Sequence, residues 1–515
     1  MGEMALPLKM KWAFKELDNI RKENYSWIPS SGQGDVQAGQ RIIIDLPQNS
    51  LVDLTTFQMA YTGESCHNGA ADTAADNTVQ TWFFPRNSSS IIQNLEVRIN
   101  NQTIFNVPEY NMVWNKLYDY TCGQDSLARR KCGGENSDPS SKTFIDPVDG
   151  VIKSRRGYAF GDIRNNTARD KDTYVIRSWL GPFSSASTQV IDTTLLGTVT
   201  IVITLAPATI LMSGSASTNA VTAVAAGASE TGRAIDALGR RSAAAGQGAL
   251  DADVFNYRLS NIVLSVDRYH MDAKFYNAQA NVLAFGSVYK LWYPNYTVLS
   301  SNSVLASNKT SVHRFNISTR SLDYVMGTFK VVGYDTPGPP IISKISTTNA
   351  AGFYGSNDTT FESQVKNGLP VLFNNSKYLL NNGDSIVSTK WKIGTHEYRT
   401  QTIQESFAGL LNHFNIQQNV DGGMYPGIAS LNHFITQFYA DLISLNVSGE
   451  GSDIFTASGI NTNQGPINIE WYVNANALTG ATEFTPAAGN CLPYLIAGYS
   501  SHIEIRGGRQ ISLVS

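Results

Sequence analysis

The stretch VRINNQTIFNVPEYNMVWNKLYDY, residues Val97 to Tyr120, decides the fold because the second half of the chain contains a degraded copy of it. The copy is WKIGTHEYRTQTIQESFAGLLNHF, residues Trp391 to Phe414. Each begins with an alternating apolar run, passes a polar turn and one large apolar residue (Ile104; Tyr398), and continues with helical spacing. Alternation predicts a half-buried strand, whereas a 3.6-residue period predicts a helix on the core. We therefore expect a strand pair and a short helix in each half.

The two predicted helices repeat their apolar residues at i, i+4 and i+7. These residues are Val113, Leu117 and Tyr120 in the first helix and Phe407, Leu411 and Phe414 in the second. Pro108 fits the first turn of the earlier helix, because a backbone N–H would be unpaired there anyway. A further helix is predicted at Ile428 to Tyr439.

Two other pairs of segments recur in the same order around this unit. Before it, Asn49 to Asp53 (NSLVD) corresponds to Thr319 to Asp323 (TRSLD). After it, Ile191-Asp192-Thr193 corresponds to Ile460-Asn461-Thr462, each ahead of a glycine and an apolar run. The period is far longer than the roughly 20 to 50 residues of a solenoid repeat, so the pattern predicts a duplicated domain.

Length and pattern together predict a three-part chain. At ~150 residues per domain, 515 residues allow two to four units, and we expect two large ones. Residues 1–35 are assigned to an N-terminal arm, 36–280 to a first domain and 281–515 to a second, with the boundary near Asn277 to Gly286. The Ala/Gly/Ser-rich segment 213–251 is taken as an insertion in the first domain, because Phe255 to Asp267 still has the pattern of a strand. The alternative is that this segment links the domains.

Composition excludes some partners. Charged residues make up 16% of the chain and its formal net charge is -3, which gives no support to a polyanion partner held by bulk electrostatics. The charges of the first 23 residues nearly cancel, so we expect no direct sequence-specific binding of nucleic acid. The longest apolar run, Leu195 to Met212, is interrupted by glycine, threonine and proline and favours buried strands over a transmembrane segment.

Strands of six to ten residues with one helix at the same place in two successive units are typical of antiparallel sandwiches, of which eight-stranded jelly rolls are one kind. The chain resembles the double jelly-roll major capsid proteins of virophages and polinton-like DNA viruses. The segments that carry the resemblance are Tyr174 to Gly181 (YVIRSWLG), Ile191 to Thr193 ahead of Val199 to Ala206, and Tyr257 to Ile262 (YRLSNI).

The resemblance implies an all-β fold of two tandem eight-stranded jelly rolls with short helices in the loops. It implies a structural role without catalysis, in which homotrimers form pseudo-hexagonal capsomers that tile an icosahedral shell around a DNA genome. The implied partners are neighbouring capsomers and penton and minor capsid proteins. The implied location is the capsid of a virion assembled inside the host cell.

No catalytic, cofactor-binding or metal-binding residue is assigned. His413 and His433 occur in repeated Leu-Asn-His-Phe segments, but zinc sites need three or four convergent ligands, so both are interpreted as helix-surface histidines. No G-x-S-x-G elbow or P-loop lysine occurs. Cys122 and Cys132 share one predicted loop, and free thiols are the default there, with a disulfide as the alternative.

Two other function classes stay open from the residues alone. The aromatic runs Trp292 to Tyr296 and Tyr425-Pro426 could stack on sugars in a glycan-binding spike or fibre protein, although core and rim aromatics of sandwiches are the favoured explanation. Paired carboxylates of a β-sandwich carbohydrate enzyme are a tertiary feature. Sequons at Asn87, Asn165, Asn308, Asn357 and Asn446 are weak evidence in a chain with no recognisable leader.

Overall fold

The computed structural model describes residues 21–66, 81–83, 88–121, 143–145, 152–154, 171–184, 190–207, 210, 212–214, 256–271, 273–284, 286, 288–302, 304–305, 310–331, 387–403, 441–445, 459–463, 467–475, 490–506 and 510–514.

Strands dominate the first part of the chain. They are β1 (Arg21–Trp27), β2 (Val36–Gln37), β3 (Arg41–Asp45), β4 (Leu51–Cys66), β5 (Thr81–Phe83), β6 (Ile92–Ile99), β7 (Gln102–Pro108), β8 (Thr143–Ile145), β9 (Ile152–Ser154), β10 (Lys171–Ile176), β11 (Val190–Asp192), β12 (Val199–Leu205), β13 (Met212–Gly214) and β14 (Asn256–His270). The helices of this part are α1 (Tyr110–Thr121) and α2 (Thr193–Leu196), with 3₁₀ turns at Ser88–Ile91 and Gly181–Phe183.

Ten of these strands form two antiparallel sheets that face each other, and the pairs β5–β13 and β8–β9 form two small separate sheets. The six-stranded sheet has the order β1-β14-β4-β10, with β2 and β11 paired at its margins, and the four-stranded sheet has the order β3-β12-β6-β7. When the eight principal strands β1, β3, β4, β6, β7, β10, β12 and β14 are numbered in chain order, the sheets are 1-8-3-6 and 2-7-4-5. This interleaving is the jelly-roll topology. We call this unit the first sandwich.

A helix, α3 (Ala273–Ala284), leads to the second set of strands. They are β15 (Tyr289–Ser300), β16 (Val304–Leu305), β17 (Thr310–Ile317), β18 (Leu322–Val331), β19 (Val387–Ile393), β20 (His396–Ile403), β21 (Asp441–Ser444), β22 (Ile467–Ala475), β23 (Asn490–Arg506) and β24 (Gln510–Val514).

The second set repeats the topology of the first. Its six-stranded sheet has the order β15-β23-β18-β21, with β16 and β24 paired to β23, and its four-stranded sheet has the order β17-β22-β19-β20. Numbering the eight principal strands in chain order again gives 1-8-3-6 and 2-7-4-5. We call this unit the second sandwich. The predicted fold class, a double jelly roll with short helices, is confirmed.

The stretch around Val97 folds as its pattern predicts, with one correction. Asn100 and Asn101 both have positive φ, at 49° and 66°, and join β6 to β7 in a tight turn. Helix α1 follows and buries Val113 and Leu117.

Pro108, however, is the last residue of β7 and pairs with Asn94. The helix is capped instead by Glu109, at φ 53°, whose carbonyl accepts the N–H groups of Met112 and Val113.

The range assigned to the N-terminal arm includes a strand. Arg21–Trp27 is an integral strand of the first six-stranded sheet and pairs along its whole length with β14. Met212–Gly214, at the start of the predicted insertion, pairs with β5. The rest of the insertion, most of the helix predicted after β20 and the helix predicted at Ile428 to Tyr439 lie outside the described residues.

Candidate functional site: the contact between the two sandwiches

The two sandwiches meet through the first strand of the second one. Strand β15 packs against β7 and against the 3₁₀ turn Gly181–Phe183 of the first sandwich. The Tyr293 hydroxyl donates a buried hydrogen bond of 2.7 Å to the Ile104 carbonyl. Its ring meets Phe105 edge-on, with 6.5 Å between ring centroids. An apolar cleft beside this contact is lined by residues of both sandwiches, including Leu46, Phe183, Leu291 and Ile503.

The backbone of the first sandwich shapes this contact. In the pairing of β6 with β7, Arg98 lies opposite Thr103 and Val97 lies opposite Phe105. Ile104, between them, is skipped. The bulge therefore frees the Ile104 carbonyl to accept from Tyr293. Gly181 has φ 77°, and a Cβ there would lie 2.4 Å from the Phe105 ring, so only glycine lets that ring sit against the turn.

A second hydrogen bond joins the sandwiches at a place separate from the Tyr293–Ile104 contact. The Tyr494 hydroxyl donates to Oε1 of Glu109 at 3.2 Å. Burial raises the pKa of Tyr293 well above its usual range, so its hydroxyl stays a neutral donor. Sequence patterns did not identify either link. In the sequence, Tyr293 stands out only as part of an aromatic run, and nothing near Ile104 indicates its partner.

Equivalent hydrogen bonds lock the same corner of each sandwich. In the first, Thr193 donates its N–H to the Ser50 carbonyl at 3.0 Å, and its Oγ1 accepts the Ser50 N–H at 3.0 Å. In the second, Thr462 makes the same bonds at 2.8 and 2.7 Å to Thr319, which the repeat aligns with Asn49, one residue before Ser50. We call each of these arrangements the threonine clasp.

The residue before each clasp threonine repeats as well. Oδ1 of Asp192 accepts the N–H two residues on at 2.8 Å, and Oδ1 of Asn461 does the same at 3.0 Å. The duplication read from Ile191-Asp192-Thr193 and Ile460-Asn461-Thr462 therefore holds at the level of single atoms.

The outward faces of the two four-stranded sheets differ in charge at equivalent positions. Asp45 and Glu96 of the first face lie where the second face has Arg314 and Lys390, whereas Arg98 and Lys392 are equivalent and both positive. Glu470, where the first face has Thr200, pairs with Arg314 at 3.0 Å. A hydrogen bond from Tyr472 and the nearby cations hold the pKa of Glu470 below its usual range. The two sandwiches therefore have the same fold but different surface charges.

The core of the second sandwich contains a buried polar cluster. Trp391 and Trp471 stack at 5.4 Å, and both indole N–H groups donate to Oδ2 of Asp441, at 2.8 and 3.0 Å. His313 lies on the other side, with its ring 5.6 Å from that of Trp471 and a 2.9 Å hydrogen bond to Ser311. Asp441, His313 and the two tryptophans are all buried.

The aromatic run Trp292 to Tyr296 does not form one open platform. Trp292 is 41% exposed and its ring lies against that of His502, with 4.3 Å between ring centroids, but Tyr293 and Tyr296 are buried. Tyr425-Pro426, His413, His433, Cys122, Cys132 and the five noted sequons lie outside the described residues.

Within the described ranges, no group of three or more His, Cys, Asp or Glu side chains is arranged to hold a metal ion. Among the helices that the structure describes, none has both the length and the apolar character of a membrane span.

Solved structures of other proteins have a similar fold. No protein-family model matches the chain, and no curated protein matches it in sequence. Among solved structures, VP54 of PBCV-1, fitted into a reconstruction of the virophage Sputnik, is similar at TM-score 0.54 and 12% identity, over 98% of this chain and 99% of that one. A chain in the structure of the Sputnik virophage is similar at TM-score 0.53 and 13% identity, over 100% of this chain and 92% of that one. The chain therefore has the double jelly-roll fold of these viral capsid proteins.

Proposed function

We propose that this chain is a structural major capsid protein whose homotrimers form pseudo-hexagonal capsomers and tile an icosahedral shell around a DNA genome. The observation that carries the proposal is the tandem arrangement itself. Two sandwiches of one topology lie side by side through the buried Tyr293–Ile104 contact. Three such chains around a closed threefold axis present six similar units in one plane.

The surfaces of the two sandwiches suit threefold rather than sixfold symmetry. Asp45 and Glu96 stand where the second sandwich has Arg314 and Lys390, so the six units of a ring would alternate in character. The role is structural and needs no catalytic or cofactor site. Neighbouring capsomers and penton and minor capsid proteins are the proposed partners, in the capsid of a virion assembled inside the host cell.

The proposed domain division follows the strands. We assign residues 36–280 to the first jelly roll and 281–515 to the second, with β1 added to the first because it pairs with β14. The junction at 280/281 then falls within α3, between the last strand of the first sandwich and the first strand of the second. The glycan-binding alternative is not favoured, because Tyr293 and Tyr296 are buried and the aromatic run therefore forms no open platform.

Native mass spectrometry and sedimentation of the purified protein test the proposal. We expect a trimer at micromolar concentration, and hexagonal particles by negative-stain imaging, since interfaces of this obligate kind bury on the order of 2,000 Å² or more. A folded monomer that forms neither trimers nor sheets as its concentration rises would refute the capsomer assignment.

A further inference from the structure

An apolar stripe crosses the outward face of the first six-stranded sheet, the face turned away from the sandwich core. Ile28 and Val263 are 56% and 43% exposed, unusually high for large apolar side chains in this structure. Ile28 directly follows Trp27 and Val263 directly precedes Leu264, and Trp27 pairs with Leu264. The two exposed residues are therefore neighbours at the end of the β1–β14 ladder.

The stripe continues over the next two strands. Val263 pairs with Ala60 of β4, and Ala60 pairs with Val175 of β10. Ala60 and Val175 are both partly exposed. Because side chains alternate between the faces of a strand, and Leu264 is buried in the core, Val263 and its partners point outward. A contiguous exposed apolar patch of this kind marks an interaction surface.

The equivalent part of the outward face of the second sandwich is covered within the chain. Val52 pairs with Arg268, and Leu322, at the same place in the duplication, pairs with Tyr499. Arg268 and Tyr499 are therefore equivalent positions. The residues five positions earlier, Val263 and Tyr494, are equivalent as well. Tyr494 is only 7% exposed and donates to Glu109 of the first sandwich, whereas Val263 is 43% exposed. Ile496 and Met326, on the same outward face as Tyr494, are fully buried.

The polar residues beside the stripe are compatible with burial. Lys22 and Asn24, which point to the same face as Ile28, bind Asp267 at 2.7 and 2.9 Å. Charges that are paired within one chain need no partner from another, and polar groups of this kind form the rim of stable interfaces around an apolar centre.

We propose that the stripe formed by Ile28, Val263, Ala60 and Val175 binds the second sandwich of a neighbouring copy of this chain. Within one chain, Glu109 directly follows β7 and contacts the outward face of the next sandwich. The second sandwich repeats β7 as β20, so a neighbouring copy offers the same element to the uncovered face. Repeating this contact three times closes a ring. The inference rests on the proposed homotrimer and specifies which face closes it.

Substitution of Val263 by aspartate tests the surface against a matched control. Val312 is also a valine and also 43% exposed, but it lies in β17 of a four-stranded sheet. We expect Val263→Asp, and Ile28→Asp independently, to raise the concentration at which trimers dissociate by about tenfold or more, because a charge would be buried at the centre of each contact. Val312→Asp should leave that concentration unchanged.

The outcomes distinguish failure of the homotrimer from failure of the proposed interface. A wild-type protein that is monomeric refutes the homotrimer itself. Trimers as stable in Val263→Asp and Ile28→Asp as in the wild type refute the stripe as an interface and leave the homotrimer standing, as does selective loss of trimers in Val312→Asp. Circular dichroism and thermal melting of each variant establish that it is folded.

A photo-crosslinking residue in place of Val263 provides a readout that does not depend on weakened assembly. We expect irradiation of the trimer to join position 263 to the second sandwich of another chain, near residues 396–403. Adducts only to the first sandwich of another chain, or no intermolecular adduct in intact trimers, would overturn the proposal.

Discussion

A buried histidine gives the second sandwich a pH-dependent stability. Burial lowers the pKa of His313 to about 4, from an ordinary value near 6.5. The unfolded chain therefore takes up a proton as the pH falls through 6.5, while the folded chain stays neutral at this residue until about pH 4. Stability that is fully present above pH 6.5 is lost between these two values.

We predict that His313→Gln removes this dependence. Relative to the variant, the wild type should lose about 1.4 kcal/mol of unfolding free energy per pH unit within the window, and about 3 kcal/mol in total. Urea denaturation at pH 7.5, 5.5 and 4.5 measures the difference between the two proteins. A difference that is constant over these pH values would contradict the assignment.

The neighbouring cluster shows what residue patterns leave undetermined. Val97 and Trp391 occupy the same place in the duplicated stretch, and both are buried as the alternation predicts. Their cross-strand partners are Ile201 and Trp471. One core position therefore holds an aliphatic pair and the other a tryptophan pair bound to Asp441. Asp441 is 50 and 30 residues from its two tryptophans, so no local spacing predicts their contact.

At the scale of elements, the threonine clasp makes a matched experiment possible. Thr193 and Thr462 each use a side-chain oxygen to accept a buried backbone N–H, and each hydroxyl also donates to a carbonyl, at 2.9 Å to Pro47 and at 3.1 Å to Thr319. Valine has the same shape but neither hydrogen bond.

We predict that Thr193→Val and Thr462→Val each lower the free energy of unfolding by about 1–3 kcal/mol, because a buried N–H is left unpaired. The two effects should be similar in size and additive in the double variant, since the sites share no partner. Denaturant titration measures them, with Thr→Ser at each site as the control that keeps the hydroxyl. A large loss at only one site would show that the clasps are not equivalent.

Most strands followed from alternation, but β1 did not. Its sequence RKENYSW places Glu23, Tyr25 and Trp27 on one face. Glu23 pairs with Arg268 of β14, and the Arg268 guanidinium lies 4.0 Å from the centre of the Tyr25 ring. An ion pair and a cation–π contact thus replace the aliphatic side chains that make a strand visible in sequence. Only the partner strand, more than 200 residues later, shows why β1 belongs to the sheet.

At the scale of the whole molecule, Tyr293 couples the two sandwiches. We predict that Tyr293→Phe lowers the free energy of unfolding by about 1–2 kcal/mol, because the buried Ile104 carbonyl loses its donor. Tyr293→Ala, which also removes the ring from Phe105, should split a single calorimetric unfolding transition into two.

Tyr499→Phe is the control for this experiment. Its hydroxyl bonds to Thr297 within the second sandwich at 3.3 Å, so its loss weakens one sandwich without touching the contact between them. A single transition in Tyr293→Ala, merely shifted to lower temperature, would show that other contacts hold the sandwiches together.

The helix α3 makes the two sandwiches parts of one molecule, and this has a kinetic consequence. A tethered partner is present at an effective concentration that reaches the millimolar range for short linkers, however dilute the protein is. The contact of Tyr293 with Ile104 therefore forms without a bimolecular encounter. In the proposed homotrimer, a closed ring of six sandwiches assembles from three bodies instead of six, and half of its contacts cost no translational entropy when the ring closes.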